Sequence, residues 1–417
     1  MKVLHLSTTD VLGGAARGAF WLHQALEREG IETAMLVNRK YGSDDSVVAL
    51  DEPFAKFARW VRAELDQLPL RFYRSTGESY WTVGWIPHHI ERTVERLNPD
   101  IIHLHWTGGG FLSVESLTRL NRPLVWTLRD MWAFTGGCHY TAGCERYKNS
   151  CGHCPQLRST HDNDLSRWTW RRKKRGWDDL DLWLVPISTW LARCGRSSEL
   201  FQDKPMEVIP NGVDAERFRP MDRREAREAW GFAPGRSYIL YGAFEAANDP
   251  RKGLPQMAAA LREMSALGWG DRAEVAVFGG PTEADMPDLG MHARFLGPIT
   301  DDRKLASLYS AADVMVVPSL QEAFGKTVIE AMACGTPVVA FDSGGPVDII
   351  EHAQSGYLAK SFDPEDLARG IAWCMENEER IIELGARARA SVEAQFDIAV
   401  VARRYRRLYE RILEQAA

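Results

Sequence analysis

Short apolar runs alternate with amphipathic stretches along almost the whole chain. Short apolar runs bounded by turn residues are typical of buried strands, and apolar residues three or four apart are typical of helices. The predicted strands form two series, which are Val3–Thr8, Thr33–Asn38, Ile101–Trp106, Leu124–Leu128 and Leu182–Ile187, then Tyr238–Tyr241, Glu274–Gly279, Arg294–Leu296, Val314–Pro318 and Pro337–Phe341. Helical patterns lie between them, for example Ala15–Glu29, Asp301–Ala311 and Pro364–Glu376. This alternation predicts an α/β protein whose parallel sheets carry helices on both faces.

The chain is expected to form two doubly wound, Rossmann-like domains. Pro, Asn and Gly interrupt the pattern at Ile209–Asp214, and a new series of strands begins after them. We therefore place an N-terminal domain at residues 1–212, a C-terminal domain at 213–395, and a last helix in 396–417 whose apolar face packs back on the first domain. Such sheets bind ligands at the carboxyl ends of their strands, so we expect the two domains to face a central cleft.

Composition narrows the class of protein. The chain has 417 residues and a formal net charge of -6, which gives no reason to expect nucleic acid as a partner. It contains no run of 18 apolar residues, and its first residues predict a strand rather than a signal peptide. We expect a cytoplasmic enzyme.

The most informative segment follows the predicted strand Val314–Pro318. Glu322 lies in a loop with Phe324 and Gly325, and a helix is predicted at Lys326–Ala333 with Glu330 one turn inside it. Amides at a helix start bind anions, and carboxylates accept hydrogen bonds from hydroxyls. A ligand with phosphates and many hydroxyls, such as a nucleotide sugar, is therefore indicated.

Other loops after strands add candidate ligand contacts. Gly14 opens the first predicted helix, where small residues let a ligand approach the backbone and the helix start favours anions, and a plain tight turn is the alternative. Arg251 and Lys252 precede a glycine in a turn suited to a diphosphate, although such a basic pair is often only solvated. Gly344 and Gly345 could offer a flexible backbone to a ligand.

His103 and His105 point to one face of a strand. His105 could touch substrate, and a hydrogen-bonded structural histidine is the alternative.

Four of the seven cysteines lie close together in a loop at 136–157. Cys138, Cys144, Cys151 and Cys154 have a spacing that resembles a structural zinc site, for which four thiolates make a closed shell. His139 or His153 could replace one thiolate. Reduced cysteines without a metal and two disulfides are the alternatives.

Two basic and aromatic segments raise the question of a membrane surface. Arg171–Arg175 is flanked by tryptophans, and Phe54, Phe57, Val61, Leu65 and Leu68 form a helical stripe beside cations. Basic charge with aromatic side chains suits an anionic membrane, while a solvated face and core packing are the ordinary alternatives.

The chain resembles the retaining glycosyltransferases of family 4, which have the two-domain GT-B architecture. Residues 322–330, Glu-Ala-Phe-Gly-Lys-Thr-Val-Ile-Glu, fit the E-x(7)-E element of that family, and Ala-Met-Ala-Cys-Gly-Thr-Pro follows. Within the family, residues 126–140 and 151–157 are most similar to bacterial exopolysaccharide transferases of the colanic-acid type.

The resemblance implies roles for the candidate residues. Glu322 would lie by the donor sugar with the amides of Phe324, Gly325 and Lys326, and Glu330 would bind the ribose hydroxyls. Lys252, with Arg251, would neutralise the leaving diphosphate, so that no metal is needed for the chemistry. Gly14 would lie near the phosphates or the acceptor.

Two positions depart from the family pattern. Residues 242–244 are Gly-Ala-Phe where Gly-Arg-Leu is frequent, and Arg251 is a candidate to supply the missing charge. Arg129 stands where histidine is frequent, so Arg129 could bind phosphate or acceptor, or His105 could serve instead.

We therefore expect transfer of a hexose or deoxyhexose from a nucleoside-diphosphate sugar to a glycan or polyprenyl-linked acceptor. We place the reaction in the synthesis of surface polysaccharide, with peripheral contact to the inner face of the cell membrane. The alternatives are a zinc-stabilised scaffold that binds nucleotide sugars or glycans, and a nucleotide-sugar epimerase or a phosphorylase of the same architecture.

Overall fold

The computed structural model describes residues 1–50, 55–74, 80–243, 249–280 and 286–416. These residues divide into two compact units, the first comprising 1–212 and 401–417 and the second comprising 213–400. Phe54 and Phe244, which the sequence analysis singled out, lie outside the described residues. Within the described ranges no helix has the length and apolar character needed to cross a membrane.

The first unit is built on a parallel sheet of six strands in the order β3-β2-β1-β4-β5-β6. The strands are β1 (Lys2–Thr9), β2 (Glu32–Arg39), β3 (Val47–Ala49), β4 (Ile101–Leu104), β5 (Leu124–Leu128) and β6 (Leu182–Pro186). The helices are α1 (Gly14–Arg28), α2 (Ala55–Gln67), α3 (Glu91–Leu97), α4 (Leu165–Trp177) and α5 (Thr189–Arg196). The order reverses between β1 and β4, which is where doubly wound sheets bind ligands.

The second unit repeats the arrangement with a sheet in the order β12-β11-β10-β7-β8-β9. Its strands are β7 (Ser237–Ala243), β8 (Ala273–Gly279), β9 (Ala293–Gly297), β10 (Val314–Val317), β11 (Val338–Phe341) and β12 (Gly356–Ala359). Its helices are α6 (Arg223–Trp230), α7 (Leu254–Met264), α8 (Asp302–Ala311), α9 (Lys326–Ala333), α10 (Pro364–Cys374) and α11 (Glu378–Gln395). The order reverses here between β7 and β10.

Apolar packing on the sheets holds each unit together. In the second unit, helices α7 and α10 bury Met257, Leu261 and Ile371 against strand residues such as Val275 and Val316, all of them fully buried. Burying one such side chain contributes about 1.5–3 kcal/mol. The predicted α/β class and its two doubly wound sheets are thereby confirmed.

The last helix, α12 (Ile398–Ala416), supplies two buried tyrosines to the first unit. The Tyr405 hydroxyl lies 2.7 Å from the Thr127 hydroxyl, and the Tyr409 hydroxyl lies 2.7 Å from Nδ1 of His103. A helix distant in sequence therefore completes the polar interior behind β4 and β5.

A group of buried imidazoles lies behind this sheet. Nδ1 of His5 is 2.9 Å from Nε2 of His105, and Nε2 of His103 is 2.7 Å from the Thr127 hydroxyl. Burial lowers the pKa of His5, His103 and His105 well below 6.5, and it lowers the pKa of His23 to about 4. These side chains are therefore neutral in the folded protein.

We expect this group to make the fold sensitive to acid. Above pH 6.5 the imidazoles are neutral in both states, but below it the unfolded chain binds protons that the folded chain excludes, so stability falls. The penalty reaches about 2 kcal/mol per imidazole at pH 5. Urea unfolding at pH 7.5, 6.5, 5.5 and 5.0 measures this loss in the free energy of unfolding.

Two variants calibrate this prediction. His103→Gln removes one of the sites that bind a proton only in the unfolded chain, so the free energy of unfolding should depend less on pH. His89→Gln changes an exposed histidine and should leave this pH dependence unaltered. A free energy of unfolding that stays constant between pH 7.5 and 5.0 would show that the buried imidazoles do not resist protonation.

Candidate active site

In the second unit, the turn after β7 and the loop after β10 are locked together. Gly253 has φ +69°, and a Cβ there would lie 1.8 Å from the carbonyl oxygen of Pro318. The Leu320 amide donates to the carbonyl oxygen of Arg251 at 2.7 Å. Only glycine fits position 253, because both the backbone angle and the close approach exclude a side chain. This contact places the candidate residues of the two loops beside each other.

Lys252 and Glu322 form an ion pair at this point. Nζ of Lys252 lies 2.8 Å from Oε2 of Glu322, and both side chains are partly buried. Burial alone would raise the pKa of the Glu322 carboxyl, but the Lys252 ammonium, nearby Arg251 and the Phe324 amide hold that pKa below its usual value. The carboxylate is therefore charged, and a cation accompanies it at the point where the strand order reverses.

Arg251, the other cation of the turn, is held mainly by Asp249. Its Nη2 lies 2.7 Å from Oδ2 of Asp249, and its Nε donates to Oδ1 at 2.9 Å. This bidentate pairing fixes the guanidinium. Asp249 thus neutralises much of the charge of Arg251, and the role of Arg251 toward the leaving diphosphate stays a prediction.

Helix α9 begins at the end of the same loop. Its N-cap residue, Gly325, has φ +108°, and no side chain caps the helix start. Glu330, one turn inside, is 3% exposed and accepts a hydrogen bond from the Tyr309 hydroxyl at 3.1 Å. Nζ of Lys326 lies 3.5 Å from its other oxygen. The helix start and Glu330 thus follow directly after the loop that carries the Lys252–Glu322 ion pair.

Gly344 and Gly345, for which a ligand contact stays a prediction, pack closely on the Glu322 loop. The Gly345 amide donates to the carbonyl oxygen of Glu322 at 2.8 Å. A Cβ on Gly344 would lie 2.5 Å from that oxygen, and one on Gly345 would lie 2.3 Å from the Cα of Phe324. The two glycines are small because their backbone packs directly on the Glu322 loop, and they hold that loop in position.

In the first unit, the start of α1 has few close neighbours among the described residues. Gly13 has φ +88°, the helix has no side-chain cap and no acidic residue in its first turn, and no described atom would lie within 4 Å of a Cβ on Gly13 or Gly14. A helix start of this kind carries partial positive charge. Gly14 therefore lies where an anion can reach the backbone.

Arg129 packs on the second turn of α1. A Cβ on Gly18 would lie 2.8 Å from its Nη1, and the same nitrogen donates to Oδ1 of Asn211 at 2.6 Å. Burial lowers the pKa of Arg129 to about 10, which leaves the guanidinium charged at neutral pH. Among the described residues, no carboxylate lies within 4 Å of it, and its Nε has no hydrogen-bond partner.

His105 lies behind Arg129. It is 2% exposed, and its Nδ1 accepts from Nη2 of Arg129 at 3.4 Å. Because a guanidinium only donates, Nε2 of His105 carries the proton and donates to His5. His105 therefore contacts Arg129 from the interior, and a direct contact between His105 and substrate stays a prediction.

Three side chains of these regions were missed by sequence reasoning. They are Tyr309, Asn211 and Asp249, which contact Glu330, Arg129 and Arg251, respectively. Asp249 stands two residues before Arg251, a spacing that favours an Asx-type turn and could have been noticed. The other two pairs join residues that are distant in sequence.

The four clustered cysteines line one small cavity and form no disulfide. Across the described chain, the only group of at least three His, Cys, Asp or Glu side chains with ligand atoms within 4.8 Å of one another is the buried set of His5, His103 and His105. The four sulfurs are therefore spread more widely than a preformed metal shell.

His139 does not replace a cysteine. Its Nδ1 lies 2.7 Å from Asp130 and its Nε2 lies 2.9 Å from the Thr82 hydroxyl, so both ring nitrogens are engaged.

Comparison with known families covers most of the chain. Residues 12–217 match the model "Glycosyltransferase Family 4", and residues 222–391 match "Glycosyl transferases group 1". The chain is 36% identical over 223 residues to D-inositol 3-phosphate glycosyltransferase 2 of Catenulispora acidiphila, covering 50% of this chain and 51% of that protein. It is 35% identical over 281 residues to the D-inositol 3-phosphate glycosyltransferase of Nocardiopsis dassonvillei, covering 64% and 60%.

The chain thus spans about half the length of the first of these relatives. Both relatives are named for an activity on inositol phosphate and not for colanic-acid synthesis, so they do not support the narrower resemblance predicted from residues 126–140 and 151–157.

Two solved structures share the whole fold. The sucrose-phosphate synthase of Thermosynechococcus elongatus superposes with a TM-score of 0.71 at 21% identity and covers 100% of both chains. The Anabaena protein HepE in complex with UDP and glucose gives a TM-score of 0.64 at 17% identity and covers 98% of this chain and 99% of its own. At these identities the likeness establishes the fold, which is that of the GT-B glycosyltransferases.

Proposed function

Because the chain belongs to family 4 of the glycosyltransferases, we propose that it transfers a sugar from a nucleoside-diphosphate donor to a phosphate-bearing acceptor with retention at the anomeric carbon. The observation that carries this proposal is the Lys252–Glu322 ion pair, 2.8 Å long, at the strand reversal of the second unit. A charged carboxylate, a cation and an uncapped helix start together match the hydroxyls and the diphosphate of such a donor.

Each group of the second unit has a role in the proposal. Lys252 and the start of α9 stabilise the negative charge that develops on the leaving diphosphate. Glu322 accepts hydrogen bonds from the donor sugar. Glu330, held by Tyr309, accepts hydrogen bonds from the ribose hydroxyls.

Retention follows in this proposal from attack on the face that the diphosphate leaves. The acceptor oxygen forms its bond to the anomeric carbon as the bond between that carbon and the diphosphate oxygen breaks. The released diphosphate oxygen takes the proton of the acceptor hydroxyl. Glu322 is paired with Lys252, and its pKa is below the usual value, so it serves as a charged acceptor of hydrogen bonds rather than as an acid. No covalent enzyme intermediate is required.

The first unit supports an acceptor that carries a phosphate. Arg129 has no carboxylate within 4 Å among the described residues, and it packs on α1, whose start is uncapped. A partly buried guanidinium without a counter-ion is favourable when an anion binds it. Inositol phosphate, the substrate named for the relatives, and polyprenyl-diphosphate-linked glycans share this chemistry.

We expect Arg129→Gln to raise KM for a phosphate-bearing acceptor about tenfold to a hundredfold, because one charge-assisted contact contributes about 1.5–3 kcal/mol. Affinity for the donor should stay within about twofold, since donor contacts lie in the second unit. Initial rates with inositol 3-phosphate and with a polyprenyl-diphosphate-linked sugar measure the change and show which source of phosphate is used.

Arg96→Gln is the matched control, because Arg96 is exposed on α3 of the same unit. It should leave KM unchanged. If Arg129→Gln leaves KM for every phosphate-bearing acceptor unchanged, or if neutral acceptors are used equally well, Arg129 does not recognise phosphate.

Contact with an anionic membrane extends the proposal. Phe57 and Trp60 on α2 are 66% and 56% exposed, and Phe72 in the next turn is 84% exposed. Arg59 and Arg62 lie on the same helix. Exposed aromatic side chains beside cations suit the interface of an anionic bilayer, where a lipid-linked acceptor would be found.

We expect Phe57→Ser/Trp60→Ser to reduce binding to vesicles about tenfold, given about 25 cal/mol for each Å² of apolar surface buried. Co-sedimentation with phosphatidylglycerol and phosphatidylcholine vesicles provides the measurement. The control is Ile382→Ser, which removes an exposed apolar side chain on α11 and should leave binding unchanged. Equal sedimentation of the wild type and the double variant, or no preference for the anionic lipid, would contradict membrane contact through α2.

The proposed activity itself is tested by donor consumption. UDP-glucose and other nucleoside-diphosphate sugars are incubated with the acceptors above, released nucleotide is measured, and the anomeric configuration of the product is read by NMR. Acceptor-dependent release with a retained configuration supports the proposal. Binding without release would indicate a scaffold, and an epimerised free donor would indicate an epimerase.

A further inference from the structure

The segment that carries the four clustered cysteines has little regular structure of its own. Between β5 and α4 it contains three short 3-10 turns, at Trp132–Phe134, Arg146–Lys148 and Pro155–Leu157. Loops of this length without regular elements are uncommon in compact domains. Cys138, Cys144, Cys151 and Cys154 face one cavity within it, and Cys154 belongs to a local apolar cluster with Trp81 and Leu157. The loop is therefore organised around its cysteines.

Hydrogen bonds fix the backbone at two of the four cysteines. The Cys154 amide donates to Oδ2 of Asp164 at 2.8 Å. The Thr135 hydroxyl donates to the carbonyl oxygen of Cys138 at 2.6 Å. The backbone positions of Cys138 and Cys154 beside the cavity are therefore set by the fold.

The backbone between the last two cysteines is held in an unusual conformation. Cys151, Gly152 and His153 have φ values of +56°, +88° and +45°. A left-handed residue other than glycine costs about 1–2 kcal/mol, so two of these positions are unfavourable without compensation. Cys151 and Cys154, at the two ends of this turn, both line the same cavity.

Two basic side chains contact the backbone of this loop. Lys173 is fully buried, and its Nζ lies 3.9 Å from the Trp132 ring and donates to the Thr135 carbonyl oxygen at 3.0 Å. Nη2 of Arg167 donates to the carbonyl oxygen of Cys151 at 2.9 Å, and the same guanidinium is paired with Asp162. Four thiolates around a divalent ion carry a net charge of minus two, so a basic side chain close by is favourable to such a site.

We propose that Cys138, Cys144, Cys151 and Cys154 bind one thiophilic divalent ion of the zinc class, which braces this loop. Thiolate sulfur selects such ions over oxygen-binding cations, and four protein ligands leave no open position for chemistry. No three of the four sulfurs lie within 4.8 Å of one another. The ion therefore draws the sulfurs together as it binds, which couples metal binding to ordering of the loop.

The metal content of the full-length protein tests this proposal. Purified without chelators, the wild type should hold about one zinc per chain by elemental analysis. Replacement with Co²⁺ should give the sulfur-to-cobalt charge-transfer absorption of a four-thiolate site. Cys151→Ser and Cys154→Ser should lose the metal and this absorption, whereas Cys194→Ser, a change at a cysteine on α5, should keep both.

If the variants do not fold, the wild type alone still tests whether the four cysteines bind zinc. Titration with a mercurial reagent should release one zinc as four thiols react. Zinc below about 0.2 per chain together with seven reactive thiols would overturn the proposal. Disulfides within residues 138–154 in a non-reducing peptide map would also overturn it, as would metal retained equally by the variants at 151 and 154.

Discussion

Lys252→Ala should lower kcat by about a hundredfold to a thousandfold, which corresponds to about 3–4 kcal/mol of transition-state stabilisation. Lys252 is the cation nearest to Glu322, at 2.8 Å, while Arg251 is already neutralised by Asp249. Negative charge builds up on the diphosphate as the glycosidic bond breaks, so the lysine contributes more to the transition state than to the ground state.

The variant should bind the donor with a Kd within about tenfold of the wild type, because the start of α9 and Glu330 remain. Its Glu322 carboxyl loses the ammonium that lowers its pKa. Turnover is measured by nucleotide release at saturating donor, and affinity by calorimetry with UDP.

Lys304→Ala is the matched control, since Lys304 is exposed on α8 of the same unit. Its kcat should equal that of the wild type. A Lys252→Ala protein that folds and turns over at the normal rate would remove the lysine from the leaving-group role.

Glu330→Ala should weaken nucleotide binding by about tenfold to a hundredfold, with a much smaller change in kcat. A carboxylate that accepts a hydrogen bond from a hydroxyl contributes about 1.5–3 kcal/mol. Glu330 is 3% exposed and is fixed by Tyr309, so its loss cannot be compensated by a neighbouring acid in the same position. Titration calorimetry with UDP and with UDP-glucose gives the ratio of the Kd of the variant to that of the wild type.

Tyr309→Phe distinguishes the effect of the Glu330 carboxylate itself from the effect of the hydrogen bond that holds it. It removes the hydrogen bond to Glu330 and leaves the acid, so the protein should lose about 1 kcal/mol of stability while its affinity changes little. If both variants bind the nucleotide as tightly as the wild type, Glu330 contacts no part of the ligand.

The segment after β10 could be predicted closely from sequence because its signals are local. Helix α9 has the predicted bounds, Lys326–Ala333, since Gly325 and Gly335 mark its ends. The positions of Glu322 and Glu330 relative to that helix follow from the same count of residues.

Two edge strands were missed for a physical reason. β3 and β12 have three and four residues, too few to show an alternating pattern. Each is held in its sheet by parallel pairing with one neighbour, β2 or β11. A run this short does not show from its own sequence that such a partner is present.

The partners of the charged side chains could not be derived from spacing. Arg251 and Lys252 are adjacent and similar in sequence, yet the fold pairs one with Asp249 and the other with Glu322. Arg129 likewise depends on Gly18 and Asn211, which are far from it along the chain. Long-range packing decided these contacts, and it left Arg129 without a carboxylate within 4 Å among the described residues.

A crystal structure with UDP or UDP-glucose bound tests the central claim most directly. We expect the diphosphate within hydrogen-bond distance of Nζ of Lys252 and of the first amides of α9, the ribose on Glu330, and the sugar beside Glu322. A nucleotide held elsewhere on the protein, with Lys252 still on Glu322 and Glu330 untouched, would contradict it.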